Sequence, residues 1–421
     1  MDLYSRGALF GIAEKIVRLL TQLLSLVLMA RLMDPAEFGS LMYAFAVVSM
    51  FNAISIFGLD AQLIKWLSIY SVRSPYIVKS AFLLRCFFSV ACFFVVNFLP
   101  FLGVGDPSLV FIISIYLLVM PWLTYEWIFT SIGRSDYSSI GLLIGYIVGF
   151  LYRLGVLLLG ATPYLLAWAY VLELVVVSFV YSVIGRQLAI GLFDGGFNAS
   201  RKLLALIFRR SFPLAISSLL VFLYVKIDQV MVGYMLGDLA AANYVSATRL
   251  SDALYVFGIL LVNVYFPKYV SSIIFLNGDV RSPYEMNRKI FWLVLLSVLG
   301  CVFVVYFSDF IVSCLYGGNY AQASPVLAYT IWTVPLVYLG AITTRVYVAL
   351  GKNWVMFKRS AAALAINVIL NLLLIPVAGL EGAAFASVVA HLVAALLMNA
   401  VLDFSVFKWQ IRVLMCKAKN W

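Results

Sequence analysis

The chain has 421 residues, of which 65% are hydrophobic and only 11% charged. A water-soluble domain carries about 25% charged residues, so water is excluded as the main solvent and an integral membrane protein is the starting class. Five cysteines, Cys86, Cys92, Cys301, Cys314 and Cys416, form no CxxC pair, which argues against a disulfide framework or a zinc site.

The first apolar run, "ALFGIAEKIVRLL", shows no small-residue cleavage site and is expected to continue into a span rather than to be removed. At about 30–35 residues per span and loop, the length implies roughly 12 helices. The candidate spans in chain order are 8–30, 38–59, 76–99, 109–131, 138–160, 163–184, 212–236, 242–266, 290–312, 325–350, 355–378 and 382–405. Pro121, Pro335 and Pro376 lie inside three of them, which neighbouring helices can accommodate. The predicted fold class is therefore an all-α integral membrane protein, with an N-terminal lobe over 1–184, a cytoplasmic linker over 185–211 and a C-terminal lobe with its tail over 212–421.

Loop charge sets the expected orientation. With the N- and C-termini in the cytoplasm, Arg6, Lys65, Arg73, Arg134, Arg186, Arg201, Lys202, Arg209, Arg210, Lys268, Arg281, Arg288, Lys289, Lys352, Lys408, Arg412, Lys417 and Lys419 all fall on one side. Only Arg31 falls on the other. That asymmetry follows the positive-inside rule. Much of the net charge of +11 is then topological, and nucleic acid is not needed to explain it. Within the linker, "RKLLALIFRR" (201–210) is amphipathic and basic, and is expected to lie on the anionic inner leaflet.

Charges inside the spans are the candidate functional residues. Seven cations are read there: Lys15, Arg18, Arg85, Arg153, Lys226, Arg249 and Arg345. The acids are Glu14, Glu126, Glu173, Asp228 and Asp252, with Asp309 near an end. One charge at mid-bilayer costs about 2.5–3.5 kcal/mol on insertion scales, so these must pair, snorkel or face a wet cavity. Counting outward from a turn near Leu239 places Asp228 level with Arg249 and Lys226 level with Asp252. Two cross-helix ion pairs are feasible there. Arg153 and Glu173 stand at similar distances from the turn between the fifth and sixth spans, and Glu14 and Arg18 are an i,i+4 pair. Each pair could brace helices or line a cavity. His391, the only histidine, has no carboxylate within a helical turn and is read as structural. No nucleotide-binding loop, metal-ligand cluster or nucleophile–base pair occurs, so a transporter without cofactor is expected rather than an enzyme.

Four segments carry a family likeness: "ARLMDPAEFGSLMYA" with "FGLDAQLIKWLS"; "RRSFPLAISSLLVFLYVKIDQVMVGYMLGDLAAANYVSATRL"; "LYGGNYAQASPVLA"; and "ALGKNWVMFKRSAAALAINVILNLLLIPVAGLEGAAFASVVAH". In this ordered set the chain resembles the polysaccharide-exporter branch of the multidrug/oligosaccharidyl-lipid/polysaccharide flippases, nearest the O-antigen unit flippases of Wzx type. Ala242 departs from the glycine usual there. The resemblance implies two six-helix lobes around a central cavity in a bacterial inner membrane. It implies export of undecaprenyl-diphosphate-linked oligosaccharide by alternating access, coupled to an ion gradient. The partners implied are that lipid, the surrounding membrane lipids, a polysaccharide polymerase and a chain-length regulator. On this reading Lys15, Arg18, Arg85, Arg153, Lys226 and Arg249 serve the substrate cavity, while Asp228, Asp252 and Glu173 serve ion coupling or charge pairing. The competing readings are a multidrug/cation antiporter of the related extrusion branch, disfavoured because in-span cations outnumber acids, and a non-transporting scaffold.

Overall fold

In hydrocarbon a backbone polar group has only the chain itself as partner, so apolar segments of this length fold as helices. A computed structural model describes residues 3–70, 75–160, 162–188, 201–265, 269, 273–276 and 279–415, and nearly all of them are helical. Large apolar side chains stand on the outside: Phe94 is 68% exposed, Phe179 69% and Leu373 62%. Such a surface is built for lipid, and the protein is a multi-pass membrane protein.

Among the described residues, ten helices are long and apolar enough to cross a membrane by length and composition, against the twelve expected. The difference has two sources. Helix α1 (Leu3–Leu32) carries Glu14, Lys15 and Arg18 amid its apolar residues and stands outside the ten. The spans expected at 355–378 and 382–405 join into one stretch, Trp354–Leu402. That stretch breaks at Gly379, where φ is 56° and ψ −131°, a conformation only glycine adopts cheaply.

The chain divides into two compact units, Met1–Leu219 and Leu220–Trp421. In the first, α1 is followed by α2 (Pro35–Met50), α3 (Asn52–Ile56), α4 (Leu59–Tyr70), α5 (Pro75–Phe98), α6 (Pro107–Val119), α7 (Thr124–Ser131), α8 (Ser135–Leu158) and α9 (Pro163–Gln187). Aspartates open two of these helices ahead of a proline. The Ala36 amide donates to Asp34 at 3.0 Å, and the Leu109 amide to Asp106 at 2.8 Å. Between α3 and α4, Phe57 adopts φ 51°. A left-handed phenylalanine costs about 1–2 kcal/mol. Its ring is held by stacking on Phe88 at 4.0 Å and Phe208 at 5.1 Å.

Phe208 belongs to α10 (Arg201–Leu236). The basic segment 201–210, expected on the inner leaflet, forms the first turns of this 36-residue helix. Its apolar side packs on protein: Ile207 is buried, and Arg210 lies 5.8 Å over the Trp66 ring. The rest of the expected linker, 189–200, lies outside the described residues, as do Arg73, Lys268, Lys417 and Lys419.

The second unit begins within α10 and continues through α11 (Asp238–Tyr265). A small antiparallel pair follows, β1 (Ile274–Leu276) and β2 (Asp279–Arg281), with Phe275 opposite Val280. Then come α12 (Tyr284–Tyr306), α13 (Ser308–Tyr316), α14 (Ala323–Thr330), α15 (Thr333–Ala349), α16 (Asn353–Leu392), α17 (Met398–Leu402) and α18 (Phe404–Leu414). Helix α18 is amphipathic, and its apolar side closes one end of the unit. Val406, Trp409 and Val413 pack with Val280, Met286 and Val346. Trp409 Nε1 donates to Ser282 Oγ at 2.8 Å, Arg412 to Asp279 at 2.9 Å, and Lys352 to Asp403 at 2.5 Å.

Between α16 and α17 the backbone widens into a π turn, Val393–Leu397. Such turns free carbonyls from the helical ladder. Here Arg359 Nε takes the Ala394 carbonyl at 2.7 Å, while Asn399 and Gln410 take that of Ala395 at 2.7 and 2.8 Å.

Candidate functional site: charged layers inside each unit

In the first unit the charged layer depends on glycine. Gly141, Gly145 and Gly149 repeat every four residues on α8 and let α9 come close. A Cβ on Gly149 would lie 2.9 Å from Glu173 Oε2 and 3.4 Å from Arg153 Nη1. The space that glycine leaves is filled by an ion pair, Arg153 Nη2 to Glu173 Oε2 at 2.9 Å, with the side chains 6% and 14% exposed. The Tyr170 ring lies 4.8 Å from the same guanidinium and stacks on Phe45.

Helix α1 packs on α8 and brings a second group to it. Arg18 lies 3.8 Å from Glu14, and Tyr146 of α8 stands within hydrogen-bonding reach of Arg18. Glu14 is buried, whereas the Arg18 side chain keeps 34% exposure and Lys15 is half-buried. Arg85 is the most enclosed cation, 2% exposed. Its guanidinium sits 4.3 Å over Trp127 and makes a long 3.5 Å bond to Thr124, with Glu126 and Asp60 as the negative charges acting on it. Glu126 thus stands in the field of Arg85. Arg345 is exposed.

In the second unit the structure brings Lys226 and Asp252 together at 2.7 Å. It does not pair Asp228 with Arg249. Tyr244, which shares a face of α11 with Thr248, Ser251, Asp252 and Tyr255, stands at Asp228 instead. Asp228 Oδ2 accepts from Tyr244 at 2.7 Å and from Ser387 of α16 at 2.6 Å, and Oδ1 accepts the Gln229 amide at 2.8 Å. Three donors are thus aimed at one buried carboxyl group. Arg249 lies toward Tyr316, on another face of α11, and is half-buried.

Asp228 and Asp252 line a small cavity of about 20 Å³, closed by Gln229, Thr248, Tyr255, Thr330, Thr333, Ser387 and His391. That space admits about one water. Its hydroxyls bond one another, as Tyr255 does with Thr333 and Ser251 with Thr330 at 3.3 Å. Two of its features escape the sequence reading. His391 stands in this polar cavity, and Arg359, outside the seven cations read from the sequence, is buried at the π turn. Their partners come from helices distant in the chain. Among the described residues no three of His, Cys, Asp and Glu are placed to hold a metal ion.

Comparison with known proteins follows the same outline. Residues 5–273 match the polysaccharide biosynthesis protein family. No curated protein is a significant sequence match. The fold is similar to that of the lipid II flippase MurJ in an inward-closed conformation, with a TM-score of 0.72 at 15% identity, covering 97% of this chain and 90% of that one. It is also similar to an inward-facing multidrug resistance transporter of the MATE family in the MOP superfamily, with a TM-score of 0.66 at 13% identity, covering 97% and 100%. A MOP superfamily transporter from Pyrococcus furiosus, described as having a binding pocket of reversed polarity, gives 0.61 at 14% identity, covering 100% and 98%. The chain belongs to the polysaccharide biosynthesis protein family and has the fold of the MOP-superfamily flippases and transporters.

Proposed function

We propose that the protein is a flippase that carries an undecaprenyl-diphosphate-linked oligosaccharide, an O-antigen-type repeat unit, from the cytoplasmic to the periplasmic leaflet of a bacterial inner membrane. The family match over residues 5–273 carries the reading, because it ties a transporter fold to polysaccharide biosynthesis. The charge inventory supports it. A lipid diphosphate is a multiply charged anion, and Arg18 with Lys15 offers partly exposed cations within a membrane helix. Arg85, Arg153 and Lys226 already have protein partners, so their part is to hold the layer in shape or to exchange partners during transport.

Energetics favour the stated direction. With the cell interior negative, each negative charge moved outward gains about 2.3 kcal/mol per 100 mV. Coupling to a second ion is placed in the acidic cavity of the second unit. A polymerase and a chain-length regulator are the natural recipients of the exported unit.

Deleting the gene should abolish surface polysaccharide and leave lipid-linked units on the cytoplasmic face. Normal surface polysaccharide in a deletion strain lacking any second flippase would reject the proposal. The related multidrug antiporters share the fold, so efflux of cationic dyes from vesicles is the test that separates that reading.

A further inference from the structure

The cavity of the second unit contains one polar atom that its surroundings leave unused. His391 is 5% exposed, and its Nδ1 lies 2.8 Å from the Ser387 carbonyl, which can only accept. The ring proton of the neutral imidazole therefore sits on Nδ1, and Nε2 presents a lone pair. Among the described residues Nε2 has no hydrogen-bond partner. A buried acceptor without a donor is costly, and the neighbouring hydroxyls are committed elsewhere.

The charges facing this atom come from several helices. From α10 come Tyr224, whose ring meets the imidazole edge-on at 5.4 Å, together with Lys226 and Asp228. From α11 come Tyr244, Asp252 and Tyr255, whose ring centre lies 6.3 Å from the imidazole. Helices α14 and α15 contribute Thr330 and Thr333, which do not titrate. Arg359 on α16 stands at the π turn beyond, held by the Ala394 carbonyl and the Tyr347 ring. Arg249 is directed toward Tyr316.

At the cavity itself, Lys226 pairs with Asp252, while the hydrogen-bond partners of Asp228 are the neutral donors Tyr244, Ser387 and the Gln229 amide. Both carboxylates line the same cavity as the imidazole. A proton on Nε2 would place a cation beside two carboxylates and two aromatic rings, where the one water the cavity admits can accept its hydrogen bond. A metal ion fits less well. The Asp228 oxygens already receive three donors, Asp252 holds an ammonium, and a metal would displace those bonds.

We propose that Nε2 of His391 is a proton-binding site, and that the proton is the ion coupled to transport. This rests on the reading of the protein as an ion-coupled transporter, and it names the ion and the atom. One H⁺ is taken up as the Nε2–H bond forms, and the same proton leaves when it breaks.

His391 is the only histidine in the chain, so isotope labelling of histidine reports on one ring. The full-length protein, purified with a histidine-free tag in lipid nanodiscs and without substrate, is titrated by ¹⁵N NMR from about pH 5 to about pH 8. The expected result is one transition from the Nδ1–H tautomer to the doubly protonated ring. Its midpoint should be the same in sodium chloride and choline chloride. Asp228→Asn should weaken proton binding at least about tenfold, one pH unit. Asp252→Asn serves as a second variant, with folding checked by gel filtration, should the first not fold. No transition, or a midpoint unmoved in every folded variant, would overturn the proposal. A midpoint displaced by sodium would overturn it in favour of a metal cation. Because no substrate is present, these outcomes are independent of which lipid is carried.

Discussion

Neutralising one member of the Arg153–Glu173 pair should destabilise the first unit more than neutralising both. Arg153→Met leaves the Glu173 carboxylate, 14% exposed, without its cation, and Glu173→Met strands a guanidinium that is 6% exposed. Breaking one side of a buried pair costs about 3–5 kcal/mol, whereas replacing both sides by apolar groups is about neutral or stabilising. For a unit of this size each kcal/mol moves the melting temperature by about 2–4 °C. Each single variant should therefore melt roughly 6–20 °C lower, and the Arg153→Met/Glu173→Met double variant should recover most of that loss. Intrinsic-fluorescence melting in detergent reads the shift, and complementation of a deletion strain reads export. Single variants as stable as the parent, or a double variant no better than the singles, would refute the reasoning. A thermally sound double variant that no longer exports would assign the pair a role in transport beyond bracing.

Gly149→Ala places a methyl group 2.9 Å from Glu173 Oε2, and should lower both thermal stability and export while Gly155→Ala, in open space, changes neither. Lys226→Ala and Asp252→Ala should each impair export, with a charge-swapped pair restoring the protein's melting temperature if the contact is a brace; complementation and melting measure the two effects. Trp409→Ala should cost about 3–5 kcal/mol by cavity formation and loss of the Ser282 bond, seen as a lower melting temperature. Asp403 lies outside the spans, and although burial alone would raise its carboxyl pKa, the Lys352 ammonium and Ser405 hydroxyl hold it below the usual range. A lowered folded-state pKa stabilises above the ordinary carboxyl range and is lost as pH falls through the lowered value. Asp403→Asn should therefore loosen α18 at neutral pH, read as faster tryptic cleavage at Lys408 and Arg412.

Apolar run length and hydrogen-bond necessity put helices almost everywhere the sequence predicts them, because lipid leaves the backbone no other option. Level along a hairpin also follows from residue number, which is why Lys226 with Asp252 and Arg153 with Glu173 could be paired by counting. Level alone does not give the direction a side chain faces. Tyr244 lies on the cavity-facing side of α11 and reaches Asp228, whereas Arg249, level by count, faces elsewhere. His391 could not be recognised from its neighbours in the chain, since its carboxylates arrive from α10 and α11. The start of α10 at Arg201 shows the same limit: a basic amphipathic segment does not reveal from its own residues that Phe208 meets Phe57 and Arg210 meets Trp66.

The most direct test is flipping by the purified protein. Proteoliposomes would hold an undecaprenyl-diphosphate-linked oligosaccharide, with an inward-directed or outward-directed pH gradient imposed, and a membrane-impermeant lectin would read arrival at the outer leaflet. The account predicts protein-dependent arrival that responds to the gradient, and that falls in Arg18→Ala and His391→Gln. Arrival at the rate of protein-free vesicles, with the protein folded and correctly inserted, would contradict it.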